Sequence, residues 1–170
     1  MTQSGEKMAK KNQTEIIAEP GKLEVFIIRE FDAPRELVFR AYTDPTLLTQ
    51  WLGPRDLKMT VQHYEAKSGG SYRYTHSRGN HDYKFHGVFH EVAEPERIIQ
   101  TFEFDGLPEP GHVAMETARF EALPGNRTRV VGQSIFQTVQ DRDGMIESGM
   151  KRGVEEGHER LTELLETIKK

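Results

Sequence analysis

Cysteine is absent from this 170-residue chain, tryptophan occurs once, and no apolar run approaches the roughly 20 residues that a membrane-spanning helix needs. Without cysteine there are no disulfides, no thiol nucleophiles and no thiolate metal sites, and the composition fits a reducing compartment. Excess positive charge is missing too. The 23 Lys and Arg stand against 27 Asp and Glu, a net charge of −4, which argues against a general nucleic-acid footprint. The opening MTQSGEKMAKKNQTE carries lysines but no apolar core, so it does not read as a signal peptide. No G-x-S-x-G elbow, P-loop or G-x-G-x-x-G fingerprint occurs. What is present is core material: nine Phe and five Tyr in a chain long enough to bury it without staples. The class expected is one cytoplasmic domain with no membrane span and no nucleic-acid partner.

Residues 1–21 are mostly polar and read as a flexible N-terminal leader, with ordering expected only near Ile16. Residues 22–170 read as a single domain. In KLEVFIIREF, Leu23, Val25, Ile27 and Phe31 share one parity while Glu24 and Glu30 take the other, the period of a half-buried strand. Asp32-Ala33-Pro34 supplies a cap and a first-turn proline for a short helix, RELVFRAYT. Asp44-Pro45 then starts a second one, TLLTQWL, which Gly53-Pro54 closes. Short strands separated by turn residues follow, the pattern of an antiparallel meander.

Three hairpin registers can be set from their turns. A four-residue turn, Ser77 to Asn80, pairs His76 with His81 and Tyr74 with Tyr83. A two-residue turn at Pro95-Glu96 pairs Phe89 with Phe102. A three-residue turn at Pro124-Gly125-Asn126 pairs Phe120 with Val130 and Ala118 with Gly132. Each choice leaves the bulky apolar residues on one face, with Lys84, His86, His90, Glu103, Arg119 and Arg129 on the other. From about Asp141 to Lys170 the pattern predicts one long helix, with Ile146, Met150, Val154, Leu161, Leu164, Leu165 and Ile168 on one stripe. Gly149, Gly153 and Gly157 fall in or beside that stripe. Each costs close to 1 kcal/mol relative to Ala, so the inward face needs room.

This order of elements resembles the helix-grip architecture of the START/SRPBCC superfamily. The strings REFDAPRELVFRAYTDPTLLTQWLGP, SGGSYRYTH, FHGVFHEVAEPERII and SGMKRGVEEGHERLTELLE are similar to successive blocks of the domain related to the activator of the 90-kDa heat-shock protein ATPase. The resemblance spans about Lys22 to Lys169. It implies an α+β fold in which a curved antiparallel sheet of six to seven strands wraps a long C-terminal helix, with two short helices after the first strand. It also implies binding of a small apolar molecule between sheet and helix. Chaperone activators of this family carry a further N-terminal domain, for which 170 residues leave no room. A partner role with the 90-kDa chaperone in stress response, and a small cyclase or hydrolase using the same cavity, are the alternatives.

On that architecture Tyr72, Tyr74, Tyr83, Phe85, Phe89, Phe102, Phe104 and Phe120 point inward from the sheet. Met150, Gly153 and Val154 face them from the helix, and Trp51 sits near one end. A solid core would account for such a set. Small residues in it, namely Gly87, Gly132, Ala118, Gly153 and Gly157, favour instead a cavity for a hydrophobic, aromatic or lipid-like ligand. Arg29, His76 and Glu116 share the inward parity, either as an Arg29–Glu116 structural pair or as polar anchors for a ligand. On a strand, His86 and His90 lie about 13 Å apart, too far for one zinc, and His76 and His81 lack a third ligand. No metal, no cofactor and no catalytic residue is therefore assigned. The expectation is non-catalytic binding by a monomer or weak dimer.

Overall fold

The computed structural model describes residues 12–168. Its eight strands form one antiparallel sheet in the order β1-β2-β8-β7-β6-β5-β4-β3. They are β1 (Glu15–Ile17), β2 (Glu24–Phe31), β3 (Lys58–Tyr64), β4 (Ser71–Arg78), β5 (His81–Ala93), β6 (Arg97–Phe104), β7 (Val113–Leu123) and β8 (Arg127–Ile135). The helices are α1 (Arg35–Thr43), α2 (Pro45–Leu48), α3 (Val139–Glu147) and α4 (Met150–Ile168). This is the helix-grip fold, with one strand more than expected. The extra strand is β1, inside the stretch read as a leader, where Ile16 pairs with Ile27 of β2. Three residues are too short a run to show a period. Residues 1–11 of that leader lie outside the described residues.

Local chemistry accounts for the entry into the helices. Asp44 accepts a hydrogen bond from the Thr46 N–H, and Pro45 follows it at the first helical position, so α2 starts where the Asp-Pro pair predicts. Asp32 does not cap α1. It bonds Arg127 Nε at 2.7 Å and Asn12 Nδ2 at 3.0 Å, and Pro34 takes the cap position. Leu23 lies ahead of β2 and is largely exposed, so the apolar parity of that strand begins at Val25.

The expected β7–β8 register is the observed one, with Phe120 opposite Val130 and Ala118 opposite Gly132. The other two hairpins are displaced by two residues. Arg78 pairs with His81 around Gly79-Asn80, so Tyr74 meets Phe85 and His76 meets Tyr83. Between β5 and β6 the turn takes three residues, Glu94 to Glu96, and a bulge at His90 adds one more. Phe85 therefore faces Phe104, and Phe89 faces Gln100. A displacement of two preserves the face of every side chain, which is why the inward set survives both corrections.

The expected single C-terminal helix is two helices. Gly149 has φ +92, a left-handed conformation open to glycine, and it separates α3 from α4. Thr138 caps α3 through its Oγ1, which accepts from the Asp141 N–H at 3.0 Å. Ile146 thus belongs to α3. It packs with Met145 and Met150 against a small core of Val25, Ala114 and Phe136. The main core lies at the other end of the molecule, where Val38, Phe39, Leu48, Leu161 and Leu165 close on Phe31 and Phe120. Each large side chain buried there contributes about 1.5–3 kcal/mol.

Candidate functional site

Between the two cores the sheet and α4 do not meet. A cavity of about 380 Å³ remains, lined from both cores and from the Trp51–Gly53 loop. Tyr72, Tyr74, Phe85 and Phe102 form its sheet wall; Met150, Gly153 and Val154 form its helix wall, and Trp51 lies at one end. Neighbouring rings stack across the strands, Tyr74 on Phe85 at 5.2 Å and Phe85 on Phe102 at 5.3 Å between centroids. Tyr72 reaches across to donate its hydroxyl proton to the Thr101 carbonyl at 2.6 Å. Trp51 Nε1 donates to the Ala41 carbonyl at 2.9 Å, which fixes the indole while leaving one side to the cavity.

Four aromatics of the sequence-derived set lie elsewhere. Phe120 and Phe89 are 2% exposed and belong to the solid core, where Phe120 packs edge-on against Phe39 and Tyr42. Phe104 stacks outward along the sheet on Phe85 and Tyr83, and Tyr83 is exposed. For Phe104 and Tyr83 strand curvature is the reason, since the inward parity continues past the end of the helix that would cover it; Phe89 and Phe120 are instead packed solid by their neighbours in the main core.

The small residues also divide. Gly132, Ala118, Gly153 and Gly157 line the cavity. Gly87 instead makes room for the Thr101 carbonyl and for Tyr72, whose hydroxyl would lie 2.6 Å from a Cβ there. Gly157 lets α4 rest on the main chain of Trp51 and Gly53, each 3.3 Å from where its Cβ would be. Room is needed at all of these positions, but only part of it stays open.

Among the polar residues, Arg29 and Glu116 do not pair. Arg29 points away from the cavity, into the seam between β2 and α4. There it donates to Thr162 Oγ1 at 3.2 Å and to Thr14 Oγ1 at 3.4 Å, and its guanidinium lies 5.3 Å from the Phe31 ring centre. Beside it His158 shares a 2.7 Å hydrogen bond with Thr14, and burial, helped by the Arg29 charge, pushes the imidazole down to about 3. Glu116 does line the cavity. It stands in a polar row across three adjacent strands, between Gln100 of β6 and Ser134 of β8. Ser134 Oγ donates to Glu116 Oε2 at 3.2 Å. Burial pushes the carboxyl up to about 7, and the Ser134 bond only partly offsets this.

His76 also lines the cavity, beside the stacked rings of Tyr74 and Phe85 and in contact with both. Burial holds its imidazole below the ordinary value, and its Nε2 is buried without a hydrogen-bond partner. Sequence reasoning passed over Gln100 and Ser134, although both share the inward parity. The signal was present, but attention to aromatics and charges ignored neutral polar residues.

On the outer face, His86 lies 3.3 Å from Glu103 and 2.7 Å from Asp105. Among the described residues this is the one His/acid group close enough to share an ion. Arg73 already sits 2.6 Å from Asp105, so an internal cation occupies part of that charge. His90, four residues along, is in the bulge and plays no part in the cluster.

A family profile described as Activator of Hsp90 ATPase homolog 1-like protein matches residues 32–166. A crystal structure from Rhodobacter sphaeroides is similar at 26% identity and TM-score 0.81, covering 91% of this chain and all of that one. A solution structure from Arthrobacter aurescens is similar to the same degree, at 26% identity and TM-score 0.81, over 90% of this chain and 91% of that one. The AHSA1 protein of Silicibacter pomeroyi shares the fold at 20% identity and TM-score 0.70, over 85% of this chain and 98% of that one. No curated protein matches the sequence.

Proposed function

We propose, given that the chain belongs to the family of Activator of Hsp90 ATPase homolog 1-like proteins, that it binds a small apolar or aromatic molecule in the cavity between sheet and α4 without transforming it. One observation carries this reading: a cavity of about 380 Å³ with aromatic walls and few polar groups. A packed core of this size leaves no such volume, because interiors fill to the density of organic crystals. A pocket of a few hundred cubic ångströms with a few convergent polar groups is the usual form of a small-molecule site. The ligand's apolar body would lie on Tyr72, Tyr74, Phe85 and Phe102, with Met150 and Val154 above it. Glu116 and His76 are the polar anchors, and Trp51 closes one end. Lipids and polycyclic aromatics are the classes of suitable shape. No helix in the described residues is long and apolar enough to cross a membrane, and the cysteine-free composition supports work in a reducing compartment such as the cytoplasm.

The test is saturable binding of the uncharged fluorescent probe N-phenyl-1-naphthylamine by the wild type and by Gly153→Leu. The glycine's Cβ position meets only Pro54 Cδ, at 3.5 Å, so a leucine there extends into the cavity. One-to-one binding lost in Gly153→Leu supports the reading; equal binding by both proteins places the probe on the surface and overturns it. The family description favours a second reading, a chaperone co-factor acting through its surface. Capture of the 90-kDa chaperone with stimulation of its ATPase, undiminished in Gly153→Leu, would support that one.

A further inference from the structure

Glu116, half-buried on the cavity wall, lacks the ion-pair partner that a carboxylate in an apolar setting ordinarily has. Among the described residues no Lys, Arg or His forms an ion pair with it, and its one hydrogen bond comes from the Ser134 hydroxyl. A carboxylate can accept about four hydrogen bonds, so most of its capacity is open. Leaving it so in an apolar cavity is costly, and burial of a charge is tolerated where a partner arrives. The cavity contains no competing cation: His76 and His158 both line it, and burial holds both neutral. The cations nearest to them, Arg29 behind His158 and Arg160 near His76, stay outside the lining. The remaining wall is rich in aromatic faces, whose negative quadrupoles attract organic cations.

We infer that the cavity selects lipophilic ligands bearing a basic nitrogen, whose cationic head pairs with the Glu116 carboxylate while the apolar body lies against Tyr72, Tyr74, Phe85 and Phe102. This rests on the cavity being a ligand site and names the chemistry that the site prefers. Gln100, across the strand from Glu116, supplies an amide oxygen or nitrogen beside the head group.

The groups that face Glu116 keep its titration simple. Tyr64 of β3 and Tyr72 and Tyr74 of β4 are pushed up by burial and further by the Glu116 charge, so all three stay neutral. Gln100 and Ser134 do not titrate. Affinity for an amine that stays protonated across this range therefore rises with pH as Glu116 ionises, with the midpoint near 7.

Three naphthalenes of nearly equal size provide the test: 1-naphthylmethylamine, 1-naphthalenemethanol and 1-naphthoate, titrated calorimetrically into wild type and Glu116→Gln. The expected result is a wild-type preference for the amine of tenfold or more over both others. In Glu116→Gln the amine falls to the level of the alcohol, whose own affinity is unchanged. The wild-type amine affinity should also fall about tenfold from pH 8 to pH 6, with no variant required. Alcohol or naphthoate binding as tightly as the amine, or an amine preference that survives in Glu116→Gln, overturns the inference and leaves the cavity reading standing. No binding of any of the three to the wild type overturns both.

Discussion

Gly153 and Gly157 occupy equivalent faces of α4 one turn apart, and the structure assigns them opposite responses to the same substitution. Alanine in place of glycine inside a helix gains about 0.8–1 kcal/mol from backbone entropy and propensity. At Gly153 the new methyl meets Pro54 Cδ at 3.5 Å, an ordinary contact, so the gain is kept. At Gly157 it meets the Gly53 nitrogen and the Trp51 carbonyl oxygen, both at 3.3 Å, and both are main-chain atoms. That loop cannot easily recede. Arg160 Nη1 donates to the Gly53 carbonyl at 3.0 Å, and the Arg55 N–H donates to Glu156 at 2.9 Å, two charge-assisted bonds from α4 to the loop. Overpacking against a fixed wall costs about 1–3 kcal/mol, which equals or exceeds the propensity gain. Gly157→Ala should therefore be neutral or destabilised by up to about 2 kcal/mol, while Gly153→Ala gains close to 1. For a chain of this size 1 kcal/mol moves Tm by about 2–4 °C. Thermal and urea melts of the two variants beside wild type read the difference directly. Equal stabilisation by both would refute the argument that α4 rests on the 51–53 main chain.

Glu116→Gln should alter the pH dependence of stability. The folded carboxyl titrates near 7 and an unfolded one near 4.5, so the native state binds more protons between these values and wild-type stability falls as pH rises through them. The ceiling on this loss is about 3 kcal/mol, and above pH 7 the glutamine variant should be the more stable protein in urea melts. His158 acts oppositely: held down to about 3, it withdraws stability as pH falls below about 6.5, so His158→Gln should resist acid better than wild type if its bond to Thr14 is kept. Phe120→Ala should cost about 3–5 kcal/mol and leave probe affinity unchanged in conditions where it folds, because Phe120 is core. Phe102→Ala, on the cavity wall, should change probe affinity by more than its effect on Tm accounts for. A saturating ligand at 100 times its Kd should add about 2.7 kcal/mol to the wild type, a shift of about 5–11 °C in a thermal melt.

Face assignment was legible from sequence because a strand's period of two depends only on local backbone geometry. Tyr72, Tyr74, Phe85, Phe102 and Glu116 are inward for that reason, and two hairpins displaced by two residues could not change it. The starts of the short helices were legible too, since Asp44-Pro45 is a local signal, but the second was expected to run to Leu52 before Gly53-Pro54 and ends at Leu48. Composition alone excluded disulfides and thiolate chemistry. Three features depended on contacts between distant segments. Whether Gly149 continues a helix or breaks it turned on the docking of α3 against Val25 and Phe136, which no helical period records. Whether an inward aromatic faces a void or a core turned on where α4 crosses the curved sheet; Phe102 and Phe120 are alike in parity and different in surroundings. The absence, among the described residues, of an ion-pair partner for Glu116 was likewise a tertiary outcome. Arg29 has the right parity to neutralise it, but β2 carries that guanidinium into the seam with Thr14 and Thr162, and the carboxyl is left facing the cavity.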